Sequence, residues 1–108
     1  MKYTEDKLTV DVEHNKFMVN GFIETWNYSG LNQFICEAIK QIPDLDVEFD
    51  FCGCKYLNSE GIRTFAVCML ESGKRVKVRI DKGATWQRVG LTPLAALKHG
   101  GNIRVVNA

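Results

Sequence analysis

VEFDFCGCKYLNSEGI, residues 47–62, joins a predicted strand, a short loop and the predicted start of a helix. Apolar and polar side chains alternate over residues 46–52, and this period of two predicts a β-strand with one buried and one polar face. The loop over residues 53–58 leads into a helix whose apolar residues from Ile62 onward share one face. A strand that runs into a helix in this way is typical of an α/β domain.

Strand and helix patterns alternate on both sides of this stretch. Upstream, period-two alternation predicts a hairpin from residues 7–13 and 16–23, and helical spacing predicts a helix over residues 31–42. The elements predicted downstream are a strand at 75–80, a short helix at 84–89, a helix opened by Thr92 and Pro93, and a last strand at 103–106. The predicted order is β-β-α-β-α-β-α-α-β, in one α/β domain over residues 1–108.

The strand at residues 75–80 carries Lys77 and Arg79 on its polar side. If it neighbours the strand at 46–52, these cations meet Glu48 and Asp50 across the sheet. Each such pair contributes about 0.2–1 kcal/mol.

Composition and charge exclude several classes of function. The 108 residues carry a formal net charge of +1 with cations and anions interspersed, so we expect no nucleic-acid partner. The apolar runs fall far short of the roughly 20 residues that span a bilayer, and residues 1–10 are too charged for a secretory signal. We therefore expect a cytoplasmic protein without a membrane partner.

The four cysteines are Cys36, Cys52, Cys54 and Cys68, and we expect them to be reduced thiols. Cys52 and Cys54 are separated by a single glycine and lack the spacing of a zinc or redox motif. Cys54 with His99 is the one thiol and imidazole pair that a thiol-dependent enzyme could use. The sequence contains none of the common catalytic motifs, so it predicts a non-enzyme with no metal and no cofactor.

Residues 47–62 resemble the pattern of the STAS family (sulfate transporter and anti-sigma-factor antagonist), in which a buried strand leads through an apolar loop to D-S-S-G and a helix. The segment GFIE at 21–24 is similar to the end of the family's second strand, and residues 76–91 are similar to its fourth strand and following helix. The resemblance implies a STAS-like domain, with a mixed sheet and helices packed mainly on one face.

Aligned with D-S-S-G, the chain has Asn58, Ser59, Glu60 and Gly61. In STAS anti-sigma antagonists the serine before the glycine is phosphorylated by a partner kinase. The resemblance therefore places Glu60 at the phosphoacceptor position, where it carries a fixed negative charge and cannot be phosphorylated. Ser59 is an alternative phosphoacceptor.

The family docks its partners through this loop and helix. The resemblance thus implies a regulatory protein-binding module whose partner is an anti-sigma-type serine kinase or another regulator. Lys55 and Tyr56 in the loop and Arg63 on the helix are the predicted rim of the docking surface. A small-molecule sensor with this fold is a second alternative to protein docking.

Each of these residues also has a purely structural interpretation. Asn58 or Ser59 can cap the helix, and Glu60 can satisfy its partial positive charge, whatever the protein does. Gly61 weakens a helical turn, which indicates close packing of the backbone there. The large aromatic residues Trp26, Tyr28 and Trp86 are candidates either for partner contact or for the core.

Overall fold

The β-strands form a mixed sheet in the computed structural model, which describes residues 1–24, 27–97 and 102–108. The strands are β1 (Lys2–Glu5), β2 (Lys7–Glu13), β3 (Lys16–Phe22), β4 (Asp46–Asp50), β5 (Cys54–Tyr56), β6 (Arg75–Ile80) and β7 (Ile103–Asn107). Their order across the sheet is β1-β2-β3-β4-β6-β7, and β5 pairs with the end of β3. The first three strands are antiparallel, and β3, β4, β6 and β7 are parallel.

The helices connect the parallel strands. They are α1 (Ser29–Gln41), α2 (Ser59–Glu71), α3 (Thr85–Gly90) and a 3-10 helix (Thr92–Ala96). The buried residues of α1 and α2 belong to the same hydrophobic cluster as the apolar residues of the strands. These findings confirm the predicted α/β class, the mixed sheet and the hairpin of β2 and β3.

Phenylalanine rings form the centre of the core. Phe17 of β3 stacks on Phe49 of β4 with 4.3 Å between ring centroids. Phe65 of α2 meets the rings of Phe49 and Phe51 edge-on, at 5.9 and 5.0 Å. Such edge-to-face pairs add about 0.5–1.5 kcal/mol to the burial of the rings themselves. The alternating side chains of the sheet therefore fix α2 directly over β4.

The opposite face of the sheet carries ion pairs, as the sequence predicts for β4 and β6. Glu48 lies 3.4 Å from Arg79 and 3.8 Å from Lys77, both on the neighbouring strand. Asp50 lies 3.8 Å from Lys16 of β3. The predicted pairing of these strands is confirmed, and one face is apolar while the other is charged.

The predicted order of elements was incomplete. The strands β1 and β5 were not predicted, because four and three residues are too few for a periodic pattern. The predicted strand 46–52 ends at Asp50, whose carboxylate accepts a hydrogen bond from the Cys52 N–H and turns the chain. The predicted helix after Thr92 is a 3-10 helix.

Among the described residues, no helix is both long enough and apolar enough to cross a membrane.

Candidate partner-docking site

The loop after β4 is held against β3 by a close backbone contact. The Gly21 N–H donates to the Gly53 carbonyl at 3.0 Å, and Cys54 and Tyr56 of β5 then pair with the end of β3. A side chain at Gly53 would collide with the side-chain amide of Asn20, which would have to move to make room. Because of the backbone contact, β5 lies beyond the carboxyl end of β4, and its residue Tyr56 is 52% exposed.

A buried glutamine anchors the same loop from the other side. Gln87 of α3 is 1% exposed, and its side-chain N–H groups donate to the carbonyls of Phe51 and Cys54 at 2.7 and 3.0 Å. Its side-chain oxygen accepts from the Asp81 N–H at 2.8 Å. A buried amide with all these partners stabilises its surroundings, whereas an unpaired one would destabilise them. The sequence analysis missed Gln87, because α3 is too short for a periodic pattern and the partners of Gln87 lie far away in sequence.

The start of α2 is capped by Asn58. Its side-chain oxygen accepts a hydrogen bond from the Gly61 N–H at 2.9 Å, as predicted for a capping residue. The same oxygen accepts a second bond, also 2.9 Å long, from the hydroxyl of Tyr28. Tyr28 directly precedes α1, so the two helix starts are joined through one amide oxygen.

Gly61 lies in the first turn of α2, directly against Tyr28. A methyl group at Gly61 would lie 3.1 Å from the Tyr28 hydroxyl oxygen and 3.2 Å from a side-chain carbon of Leu57. The prediction that the backbone packs closely at Gly61 is confirmed. Asn58, Tyr28 and Gly61 together form a cap cluster that fixes the position of the first turn of α2.

Glu60 lies on the outer side of this turn and is exposed. Its backbone carbonyl accepts from the Thr64 hydroxyl at 2.8 Å, and its carboxylate has no ion-pair partner among the residues the structure describes. The first-turn N–H groups of a helix give its start a partial positive charge, which stabilises an exposed carboxylate by about 0.3–1 kcal/mol. Glu60 is therefore held at the helix start while its charge faces solvent.

A shallow, open cleft lies between the starts of α1 and α2, and we call it the helix cleft. It is lined by polar residues from both helices: Tyr28, Ser29, Asn32, Gln33, Glu60 and Thr64. The sequence analysis placed the α2 side of this cleft in the site but missed its α1 side. Ser29, Asn32 and Gln33 repeat at helical spacing on α1, but without the fold nothing connected them with Glu60.

The structure leaves most of the predicted site residues accessible. Lys55, Tyr56, Ser59, Glu60 and Arg63 are exposed, Asn58 is half-buried and Gly61 is buried. The ring of Trp86 on α3 meets Tyr56 edge-on at 6.0 Å. Their contact makes Trp86 part of the edge of this surface as well as of the core.

The other two aromatic candidates differ from Trp86. Tyr28 is 7% exposed, so it organises the cap cluster instead of offering a free aromatic ring. Trp26 lies outside the described residues.

The alternative of a thiol-dependent enzyme gains no support from the geometry. Burial raises the pKa of the Cys54 thiol to about 12, and its sulfur contacts the Tyr56 carbonyl at 3.9 Å. A thiol with a raised pKa has little of the nucleophilic thiolate at neutral pH. His99, its suggested partner, lies outside the described residues. The described part of the chain also contains no cluster of three or more His, Cys, Asp or Glu side chains that could hold a metal.

Comparison with known proteins gives a match in structure alone. No family model and no curated protein matches the chain. Its fold is similar to that of SiaC in the crystal structure of the diguanylate cyclase SiaD in complex with its activator SiaC from Pseudomonas aeruginosa. The TM-score is 0.72 at 11% sequence identity, over 100% of this chain and 99% of the other. The chain thus has a STAS-like fold, and at this identity the match concerns the fold alone.

Proposed function

We propose that this chain is a regulatory protein-binding module that resembles the STAS anti-sigma antagonists. Its docking surface is formed by the exposed residues Lys55, Tyr56, Ser59, Glu60 and Arg63, and Asn58 and Gly61 fix the helix turn beneath them. Glu60 provides a permanent negative charge at the position where STAS antagonists carry their phosphoacceptor serine. The module therefore binds its partner without a phosphorylation switch at that position.

The observation that carries this proposal is the construction of the α2 start. Tyr28 and Asn58 use their hydrogen-bonding groups to fix the first turn, whereas the carboxylate of Glu60 faces solvent beside the helix cleft. Because the backbone of this turn is already fixed, only the Glu60 side chain has to be ordered on binding, which favours affinity for a partner cation.

The composition of the surface also supports a protein partner. Tyr56 is a large exposed aromatic residue, Arg63 lies on the first turns of α2, and both residue types are enriched among those that dominate binding energy. SiaC, whose fold is similar, is an activator of the diguanylate cyclase SiaD and therefore acts on another protein. We propose by analogy that this module acts on a signalling protein, either an anti-sigma-type serine kinase or another regulator.

The proposal has two further parts, of which the first concerns Ser59. Ser59 is exposed next to Glu60, so a kinase could phosphorylate it and add a second negative charge at the helix start. We also propose that the module acts in the cytoplasm as a non-enzyme, without a cofactor or a nucleic-acid partner.

The test is affinity purification from the source organism with the wild-type chain, Glu60→Arg and Glu71→Arg. Glu71 is an exposed glutamate at the far end of α2, so it is a control for reversing a charge on the same helix. We expect a specific partner with the wild type and Glu71→Arg, and its loss with Glu60→Arg. Titration with the purified partner should then give an affinity about tenfold or more weaker for Glu60→Arg alone.

The phosphorylation part is tested with Glu60→Ser. We expect the kinase, if it is the partner, to phosphorylate the introduced serine, and mass spectrometry of the wild type to find phosphate on Ser59 or on no residue of the surface. In the affinity purification, equal recovery of the partner with the wild type, Glu60→Arg and Glu71→Arg would contradict the proposed docking surface.

A further inference from the structure

Two cysteines face each other between α1 and α2. The sulfur of Cys36 on α1 lies 2.6 Å from the sulfur of Cys68 on α2. A disulfide bond is about 2.05 Å long, so closing it would need a movement of only about half an ångström. Both side chains are free thiols, Cys36 half-buried and Cys68 buried.

We propose that Cys36 and Cys68 are a redox modification site, which a peroxide converts to a reversible disulfide between α1 and α2. This inference does not depend on the proposed docking function, because it rests on the contact between the two helices.

The chemistry is balanced with one molecule of hydrogen peroxide. The Cys36 thiolate, the more accessible of the pair, attacks a peroxide oxygen, breaks the O–O bond and becomes a sulfenic acid, with release of water. The Cys68 sulfur then attacks the Cys36 sulfur and displaces a second water. Two S–H bonds are lost and one S–S bond forms, so the two thiols are oxidised by two electrons and the peroxide is reduced to two waters.

The position of Cys68 makes the second step intramolecular. Burial, followed by the contact with Cys36, raises the pKa of the Cys68 thiol above its ordinary value. This lowers its thiolate fraction and slows its attack on an outside oxidant. The sulfur of Cys36, however, is already in contact with it, so attack on a Cys36 sulfenic acid requires no diffusion.

The disulfide would alter the helix cleft through Asn32. The Cys36 sulfur contacts the Asn32 side-chain oxygen at 3.4 Å, and the Cys68 sulfur contacts the Asn32 carbonyl at 3.7 Å. Oxidation removes both thiol hydrogens, so Asn32 loses its thiol donors. Asn32 also lines the helix cleft beside Glu60. Oxidation of the two cysteines would therefore change the hydrogen bonding of a residue on the α1 side of the cleft.

The test treats the whole reduced chain with a small excess of hydrogen peroxide. The free thiols are then alkylated in denaturant, and the chain is digested for mass spectrometry. We expect a peptide in which Cys36 and Cys68 are cross-linked, a fall in free thiols from four to two, and full reversal by dithiothreitol. Heteronuclear NMR of the oxidised chain should show a shift of the Asn32 side-chain amide.

Two variants serve as controls. Cys36→Ser changes the half-buried member, so the fold is expected to persist, and peroxide should give neither the cross-link nor the shift at Asn32. Cys52→Ser should give both as in the wild type, because Cys52 lies in the loop after β4.

Three results would overturn the inference. The first is that no cross-link forms at an oxidant level that oxidises Cys52. The second is that Cys36 is oxidised to a sulfinic acid in place of the disulfide. The third, a cross-link without any shift at Asn32, would overturn the connection to the helix cleft.

Discussion

The starts of α1 and α2 have similar sequences but different hydrogen bonds. Each has an asparagine three residues before a glycine, Asn27 with Gly30 and Asn58 with Gly61. The Asn58 oxygen accepts from the Gly61 N–H, which lies inside the helix. The Asn27 oxygen accepts from the N–H and hydroxyl of Ser29, the first residue of α1. The second helix is thus capped within its first turn, and the first is preceded by a turn.

The charges at the two starts differ in the same way. The first turn of α2 has its own acid, Glu60, and presents it to solvent. The first turn of α1 has none, and the carboxylate near it belongs to Glu5 of β1, which accepts a hydrogen bond from the Tyr3 hydroxyl beside Gly30. Burial, and then Glu5, raise the pKa of Tyr3 to about 12. The negative charge near the start of α1 is therefore hydrogen-bonded within the fold, whereas the charge of Glu60 at the start of α2 faces solvent.

The largest effect is expected at the two glycines. Gly61→Val should lower the free energy of unfolding by about 1–3 kcal/mol, because its branched side chain would be forced against Tyr28 and Leu57 in a filled space. At Gly30 an added carbon would lie even closer to a tyrosine hydroxyl, 2.9 Å from that of Tyr3, but Tyr3 is half-buried and its end can move, so Gly30→Val should cost less. The Tyr28 and Leu57 side chains around Gly61 are buried and cannot move in this way. Urea denaturation of both variants gives the two losses, and equal losses would contradict the tighter enclosure of Gly61.

Asn58 and Asn27 give the next largest difference. Asn58→Ala should destabilise the chain by about 1–2 kcal/mol, because it removes the cap and leaves the Tyr28 hydroxyl without its acceptor. Asn27→Ala removes hydrogen bonds at an exposed turn, so we expect a loss of about 0.5 kcal/mol. The two unfolding midpoints in urea provide the measurement, and a larger loss at Asn27 would reverse the comparison.

The connection between the helix starts is tested by a double-mutant cycle. Tyr28→Phe removes the hydroxyl and keeps the ring, so alone it should lower the free energy of unfolding by about 1 kcal/mol. In a chain that already carries Asn58→Ala the hydroxyl has lost its acceptor, so the same change should cost nothing or regain part of the loss, which gives a coupling energy of at least about 1 kcal/mol. Additive effects of the two substitutions would show that the hydroxyl does not connect the helices.

Periodicity predicted the longer elements because each has at least one full period of buried side chains. The hairpin, α1, α2, β4 and β6 all followed from alternating or helical spacing. The ion pairs of Glu48 with Lys77 and Arg79 also followed, since neighbouring strands place alternate residues on one face. By contrast, β1 and β5 owe their existence to pairing with strands already in place, which a local pattern does not contain.

The candidate site was predictable only on its own chain segment. Asn58 as the cap and Gly61 as a packed glycine could be read from residue type and position. Their partner Tyr28 lies thirty residues away in sequence, and its single bond to Asn58 leaves no periodic signal. Gln87 was missed for the same reason, because its partners in the loop after β4 come together only through tertiary packing.

The smallest expected effect concerns the charges themselves. Glu60→Gln should lower the free energy of unfolding by about 0.3–1 kcal/mol, because a neutral amide interacts less with the positive start of α2. Ser29→Asp, which gives α1 an acid of its own, should add less than this, since Glu5 already lies near that turn and repels a second carboxylate. Urea denaturation at low salt is the measurement, and both effects should shrink in about 1 M salt, where the screening length is about 3 Å. Ser29→Asp could instead stabilise the chain more than Glu60→Gln destabilises it. The start of α1 would then be the one that lacks negative charge. The proposal that the charge of Glu60 is available to a partner would lose its physical basis.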